Sequence, residues 1–137
     1  MDPLIKKLVE WIDIESISGN EAAFLETLED DLAERGYACI WQRVEANRWN
    51  LLARPPSGKT RLTYSTHVDT VPPFLEARVE NGRVFGRGAC DTKGGILAMI
   101  EAGERLLADG LEDVGFLFVV GEEVDHCGAK LSRELDG

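Results

Sequence analysis

Three short segments of this chain hold residues that could do metal-assisted chemistry, each just past an apolar run. They are Ser65-Thr66-His67-Val68-Asp69-Thr70, Gly86-Arg87-Gly88-Ala89-Cys90-Asp91-Thr92-Lys93-Gly94-Gly95, and Gly121-Glu122-Glu123. A metal-ligating imidazole usually gives its second ring N–H to a carboxylate, which fixes the tautomer and raises basicity. Asp69, two residues beyond His67, is placed to turn back and accept it. The plain alternative is that Asp69 caps the bend that Thr70-Val71-Pro72-Pro73 must make. Asp91 lies between Gly88 and Gly94-Gly95 where a helix should start. Its two oxygens suit it to bridge two cations, and its plain alternative is an N-cap worth about 1 kcal/mol. Cys90 offers a thiolate beside it, or packs as a small buried hydrophobe.

Glu122 and Glu123 fit a division of labour in hydrolysis. A cation lowers the pKa of a water molecule, and a nearby carboxylate takes its proton. Adjacent residues in extended geometry point to opposite faces, so one is expected to bind metal while the other meets the water. Asp125, His126 and Cys127 read as loop or supporting residues.

The elements that must position these groups are legible from periodicity. Asp2-Pro3 reads as an N-cap and a first helical proline, followed by Leu4, Leu8 and Ile12 at helical spacing. Ser18-x-x-Glu21 has the form of a capping box opening a second helix. Its apolar stripe is Phe24, Leu25, Leu28 and Leu32, and Gly36 ends it. Strands are expected over 37–44, 49–53 and 62–66. A hairpin is expected around Asn81-Gly82, and a helix over 96–107. The continuous run Gly115–Val120 suits a strand covered on both faces. A further helix is expected to begin within 128–137. This alternation predicts an α/β fold with a central mixed, mostly parallel sheet flanked by helices. In such sheets ligands sit beyond the carboxyl ends of strands.

Composition narrows the function classes. The 137 residues suit one domain. A net charge of −10 argues against binding nucleic acid or an anionic membrane, because phosphate neutralisation needs clustered Lys and Arg. Three cysteines without CxxC spacing are not a disulfide framework and point to a reducing compartment. No stretch approaches the ~20 apolar residues of a membrane span, nor does the N-terminus carry a signal-like apolar core. A cytoplasmic location is expected.

The order H-x-D, then G-R-G-A-x-D-x-K-G-G, then G-E-E resembles the M20 family of metallo-aminoacylases and peptidases. That family includes acetylornithine deacetylase, succinyl-diaminopimelate desuccinylase, aminoacylase and carboxypeptidase G. The resemblance takes in the first helices, Asn50-Leu51-Leu52-Ala53 and the segment His67 to Pro72, and it is most specific at Gly86–Gly95. It implies two zinc ions per complete active site, with cobalt or manganese as substitutes. By the same resemblance His67 is a ligand of one zinc, Asp91 bridges both, and Glu123 binds the second. Glu122 acts as general base and then acid, and Asp69 orients His67. The implied reaction is cleavage of an amide bond in an N-acyl amino acid or short peptide by a homodimeric parent. The segments Gly88–Gly94 and Gly121–His126 look most like the deacetylase and desuccinylase branch. A di- or tripeptidase or carboxypeptidase of the same family is the alternative.

The family pattern also needs a further Asp or Glu beyond G-E-E and a second ligand histidine. Val124 to Gly137 offer no close match, and His126 is the only other histidine. Residues 1–137 are therefore expected to be the N-terminal portion of the catalytic domain. The lid or dimerisation domain and the remaining catalytic segment are expected to be absent. Such a piece should hold zinc weakly or not at all, be inactive alone, and self-associate through an exposed sheet edge. A non-catalytic interaction module is the rival of another class. A cysteine hydrolase is disfavoured, because neither Cys90 nor Cys127 has a nucleophile–base setting.

Overall fold

The computed structural model describes residues 1–135. Helix α1 spans Pro3–Ile12 and α2 Ala22–Glu34. Asp2 caps α1 as its sequence predicts, its carboxylate accepting from the Leu4 amide at 2.7 Å. The hairpin of β1 (Ala38–Glu45) and β2 (Arg48–Arg54) follows. Asn47, at φ 59°, makes the tight connection. Strand β3 runs over Leu62–His67, and the small hairpin β4 (Arg78–Glu80) and β5 (Arg83–Phe85) turns on Asn81-Gly82. Both of those turn residues have positive φ, the requirement that selects Asn-Gly for a two-residue loop. Helix α3 spans Lys93–Ala108, β6 Val114–Val119 and α4 Cys127–Ser132. The expected C-terminal helix is thus short, and the last two residues of its expected range lie outside the described residues.

The main sheet has the order β1-β2-β6-β3. It is mixed and flanked by helices, as expected. The parallel ladder is the β3–β6 pair, while β1–β2 and β2–β6 are antiparallel. The reason lies in the connections. A two-residue turn can only return a strand antiparallel, whereas β3 reaches β6 through the α3 crossover, which permits parallel pairing. The expectation of a mostly parallel sheet therefore holds only at β3–β6, the pair that ends at the candidate site.

Alternation along the strands divides the faces. Leu51 and Ala53 of β2, with Phe116 and Phe118 of β6, meet Phe24, Leu25 and Leu28 of α2 and Ile96 and Ile100 of α3 in one buried cluster. Phe116 is fully buried. Asn50, on the opposite face by its period-2 position, meets α4 through the Gly128 carbonyl at 2.9 Å. Strand β6 is covered on both faces, as its unbroken apolar run predicts.

The capping box assigned to Ser18 and Glu21 is not formed. Helix α2 begins after Glu21 without a side-chain cap. The Glu21 carboxylate is wholly buried and accepts from Arg48 Nη2 at 2.7 Å and Nε at 3.2 Å. A buried bidentate guanidinium satisfies a carboxylate better than one amide that water can also reach.

Among the described residues nothing pairs with the outer edge of β3. Leu62 and Tyr64 are 49% and 41% exposed there. An apolar groove of about 630 Å³ separates Tyr64 from Leu97, Ala102 and Leu106 of α3. Such an edge is a template for pairing with another strand. The expected outcome in light scattering is an apparent mass that rises with protein concentration, and Tyr64→Lys should hold the chain monomeric. A wild-type monomer at all concentrations would remove the expectation.

Candidate active site

The three chemical segments converge beyond the carboxyl ends of the parallel pair. His67 is the last residue of β3, and the Val68 amide continues the ladder by donating to the Val119 carbonyl at 3.0 Å. Glu122 and Glu123 follow β6 in a turn. Asp91 stands two residues before α3.

That turn starts at Gly121, where φ is +74°. A Cβ there would come within 2.6 Å of Cys127 Sγ and 2.8 Å of Arg48 Nη2, so neither the conformation nor the space admits a side chain. Because Glu122 and Glu123 lie in a turn and not in extended chain, the opposite-face argument does not apply. Both carboxylates approach the same imidazole.

Asp69 is the centre of the arrangement and is fully buried. Its Oδ1 accepts from the Glu122 amide at 3.0 Å, and Oδ2 accepts from the Glu123 amide at 3.1 Å and Ser18 Oγ at 2.6 Å. The backbone carbonyl of Asp69 accepts from His67 Nδ1 at 2.9 Å, and Oδ1 lies 3.4 Å from the same nitrogen. Asp69 therefore fixes His67 mainly through its main chain, while its side chain fixes the Glu122–Glu123 turn. It does not cap the Thr70–Pro73 bend with its carboxylate. Burial works to raise the Asp69 pKa. Hydrogen bonds from His67, Ser18 and the amides of Glu123 and Glu122 outweigh it and hold the carboxyl down at about 2.

The metal-type donors gather around His67 Nε2. It lies 2.9 Å from Asp91 Oδ1 and 3.7 Å from Glu122 Oε2. Ligand atoms of His67, Asp91 and Glu123 all fall within 4.8 Å of one another. Since a carbonyl and a carboxylate can only accept, bonds from both ring nitrogens describe an imidazolium. Burial disfavours that charge, but the hydrogen bonds and charge of Asp69, with Asp91, push the His67 pKa up to about 9. Glu123 is also raised, through burial and then the charges of Asp91, Glu122 and Asp69, with His67 pulling the other way.

Asp91 is not an N-cap: Thr92 holds that position, with no side-chain hydrogen bond. The Asp91 carboxylate is 69% exposed and partnered by His67, a setting with no evident structural purpose. Cys90 is exposed, not buried as expected, and it falls outside the ligand group. The adjacent Asp91 turns toward His67, and the next residues enter α3, which leaves Cys90 at the surface. His126 is exposed and sits at φ 57° before α4, away from the His67 group. Asp125 and Cys127 come near Glu45 instead. There Asp125 Oδ1 accepts from the Cys127 amide at 3.0 Å and Glu45 from Arg48 at 3.2 Å.

Three supporting residues carry more than their sequence context suggests. Ser18 reaches Asp69 because the segment after α1 runs along the His67–Thr70 loop, with Ser18 N–H to the Thr70 carbonyl and Thr70 N–H to the Ser16 carbonyl. Lys93 is 1% exposed; its ammonium donates to the carbonyls of Trp11, at 2.9 Å, and Ile14, and lies 4.5 Å from the Phe24 ring centroid. It ties the end of α1 to the start of α3, and burial, against the pull of Asp13, pushes its pKa down to about 8. Asn50 joins β6 to α4, accepting from the Val120 amide and donating to the Gly128 carbonyl.

Residues 63–136, more than half of the chain, match the sequence profile of peptidase family M20/M25/M40. The chain belongs to this family. It is 38% identical over 136 residues to a peptidase M20 domain-containing protein of Schizosaccharomyces pombe, covering 94% of this chain and 34% of that protein. It is 34% identical over 142 residues to a probable carboxypeptidase of Aspergillus clavatus, covering 93% of this chain and 31% of that one. The chain thus spans about a third of the length of these relatives. Among solved structures, a tripeptidase of Staphylococcus aureus superposes with a TM-score of 0.78 at 24% identity, over 98% of this chain and 40% of that one. That likeness establishes the M20-type fold.

The pKa shifts in this M20 site give a stability prediction for the metal-free chain. His67 holds its proton more tightly folded, at about 9, than unfolded, at about 6.5. Its contribution is therefore full below pH 6.5 and lost as pH rises through 9. Lys93, depressed to about 8, acts oppositely: its contribution rises as pH goes from about 8 to 10.5, is full above that, and is lost as pH falls through 8. Urea unfolding between pH 6.5 and 8 should show stability falling by roughly 1–2 kcal/mol, and His67→Gln should flatten that slope. A wild-type slope of zero would contradict the assignment.

Proposed function

We propose that His67, Asp91 and Glu123 are metal ligands and Glu122 the general base of a metal-dependent hydrolase, and that this chain forms the N-terminal part of its catalytic domain. The observation that carries this reading is the meeting of one imidazole and two carboxylates within 4.8 Å, with the Glu122 oxygen 3.7 Å from the same ring nitrogen. One nitrogen and several carboxylate oxygens suit zinc, and also cobalt or manganese. The proton now shared between His67 Nε2 and Asp91 is the one a cation would displace, so affinity should fall as pH is lowered.

A bound divalent metal supplies Lewis acidity, lowering the pKa of water and polarising a carbonyl. The chain's own residues do the rest. Asp69 holds the Glu122–Glu123 turn so that both carboxylates face His67. Glu122, half exposed, accepts the proton of the attacking water and returns it to the leaving amine. Three ligand residues shared between two ions leave each ion short of the usual three protein ligands. The isolated chain should accordingly bind metal weakly and turn over little.

The substrate class rests on the family resemblance: an amide whose amine side is an amino acid. An N-acyl amino acid and a peptide cut at its carboxyl end are both of this form. The named relatives favour the carboxypeptidase version, while the motif resemblance favours the deacetylase version. The parent is expected to work as a homodimer on small molecules. In the longer parent protein, Glu122→Ala should lower turnover by about 10²–10⁴-fold with metal content unchanged. Full activity in that variant would overturn the role of Glu122. Acetylornithine assayed beside a panel of dipeptides and N-blocked peptides separates the two substrate versions.

A further inference from the structure

We propose that the corner formed by Trp41 and Trp49 under α2 is a binding site for a small organic cation, meaning a quaternary or protonated ammonium group. The two rings stand edge to face, with centroids 6.1 Å apart and planes at 82°, so an indole face and the perpendicular ring beside it wall one corner. With Ala22, Glu26 and Glu29 they line an open hollow of about 310 Å³, a size for a small head group. The site shares no residue with the His67 cluster.

Charge decides what fits. Trp41 Nε1 donates to Glu29 Oε1 at 2.7 Å, which fixes the Trp41 ring and leaves the second Glu29 oxygen open. Glu26 has no ion-pair partner among the described residues. Two carboxylates beside two indole faces attract a cation and repel an anion, since the face of an aromatic ring is its negative pole. An uncharged apolar ligand would have to desolvate those carboxylates without compensation.

The rest of the chain sharpens the contrast. Three other rings carry a cation: Lys7 lies over Trp11, Arg78 over Phe85 and Lys93 over Phe24. Trp41 and Trp49 have none among the described residues. This holds even though Arg43 stands directly across the β1–β2 ladder from Trp49. The corner therefore has the walls and the countercharge of a cation site and no internal cation in it.

The test is NMR titration of the chain, following the three indole N–H signals at constant ionic strength. Tetramethylammonium chloride and butylammonium chloride are the probes, tert-butanol the neutral isostere, and sodium chloride the salt control. The Trp41 and Trp49 signals should move saturably with one or both ammonium probes, with a dissociation constant of about 1–10 mM, while Trp11 stays in place. The relative strength of the two probes distinguishes a quaternary head group from a primary amine as the natural source. Glu26→Gln, on the exposed side of α2, should weaken binding about threefold without touching the core, and Trp49→Ala should abolish it. An equal response to tert-butanol, or a response matched by sodium chloride, would overturn the proposal. So would the absence of saturable movement, or unchanged binding in Glu26→Gln.

Discussion

A fully buried carboxylate organises this molecule. Asp69 lies within the protein with its charge intact, a condition that is costly unless every lone pair is engaged. Its partners come from distant parts of the chain: Ser18 after α1, His67 at the end of β3, and the amides of Glu122 and Glu123 after β6. Satisfying one charge thus requires three segments to meet at one point. The helices and ladders bring them there, and the buried charge penalises any other arrangement.

The same constraint explains how a chain with acidic residues throughout assembles an acidic cluster. Left to themselves, Asp91, Glu122 and Glu123 would repel. Asp69 pins the backbone of the last two, and the His67 imidazolium sits among all of them as a countercharge. A proton on Nε2 holds the cluster together in the absence of metal. The three carboxylates and the imidazole are consequently held close together by contacts within the chain itself.

The chemistry was more legible in the sequence than its support. Each of His67, Asp91 and the Glu122-Glu123 pair has a plain alternative taken singly, and it is their order along the chain that singles them out as candidates. Helices and strands were readable from their periodicity, and the Asn81-Gly82 turn from its conformational demand. Ser18 was misread because a capping box is a local pattern, while its true partner lies 51 positions away. Glu21, taken for the same box, is matched to Arg48, and nothing near either residue signals that pairing. Lys93 stands in the central motif, yet its carbonyl partners in α1 depend on how α1 packs on α3. The sheet is mixed and flanked by helices as expected, with its parallel pairing confined to β3–β6; β1 and β2 are joined by a two-residue turn, which returns the chain antiparallel.

The Asp69 carboxylate holds the Glu122–Glu123 turn. Hydrogen–deuterium exchange in an Asp69→Asn variant tests it directly. The two amides bind different carboxylate oxygens, and Asn replaces one of these with a donor NH2 group, so one amide loses its acceptor. At least one of the Glu122 and Glu123 amides should lose its protection, while Leu25 and Leu28 in α2 keep theirs. Unchanged slow exchange at both Glu122 and Glu123 would contradict it.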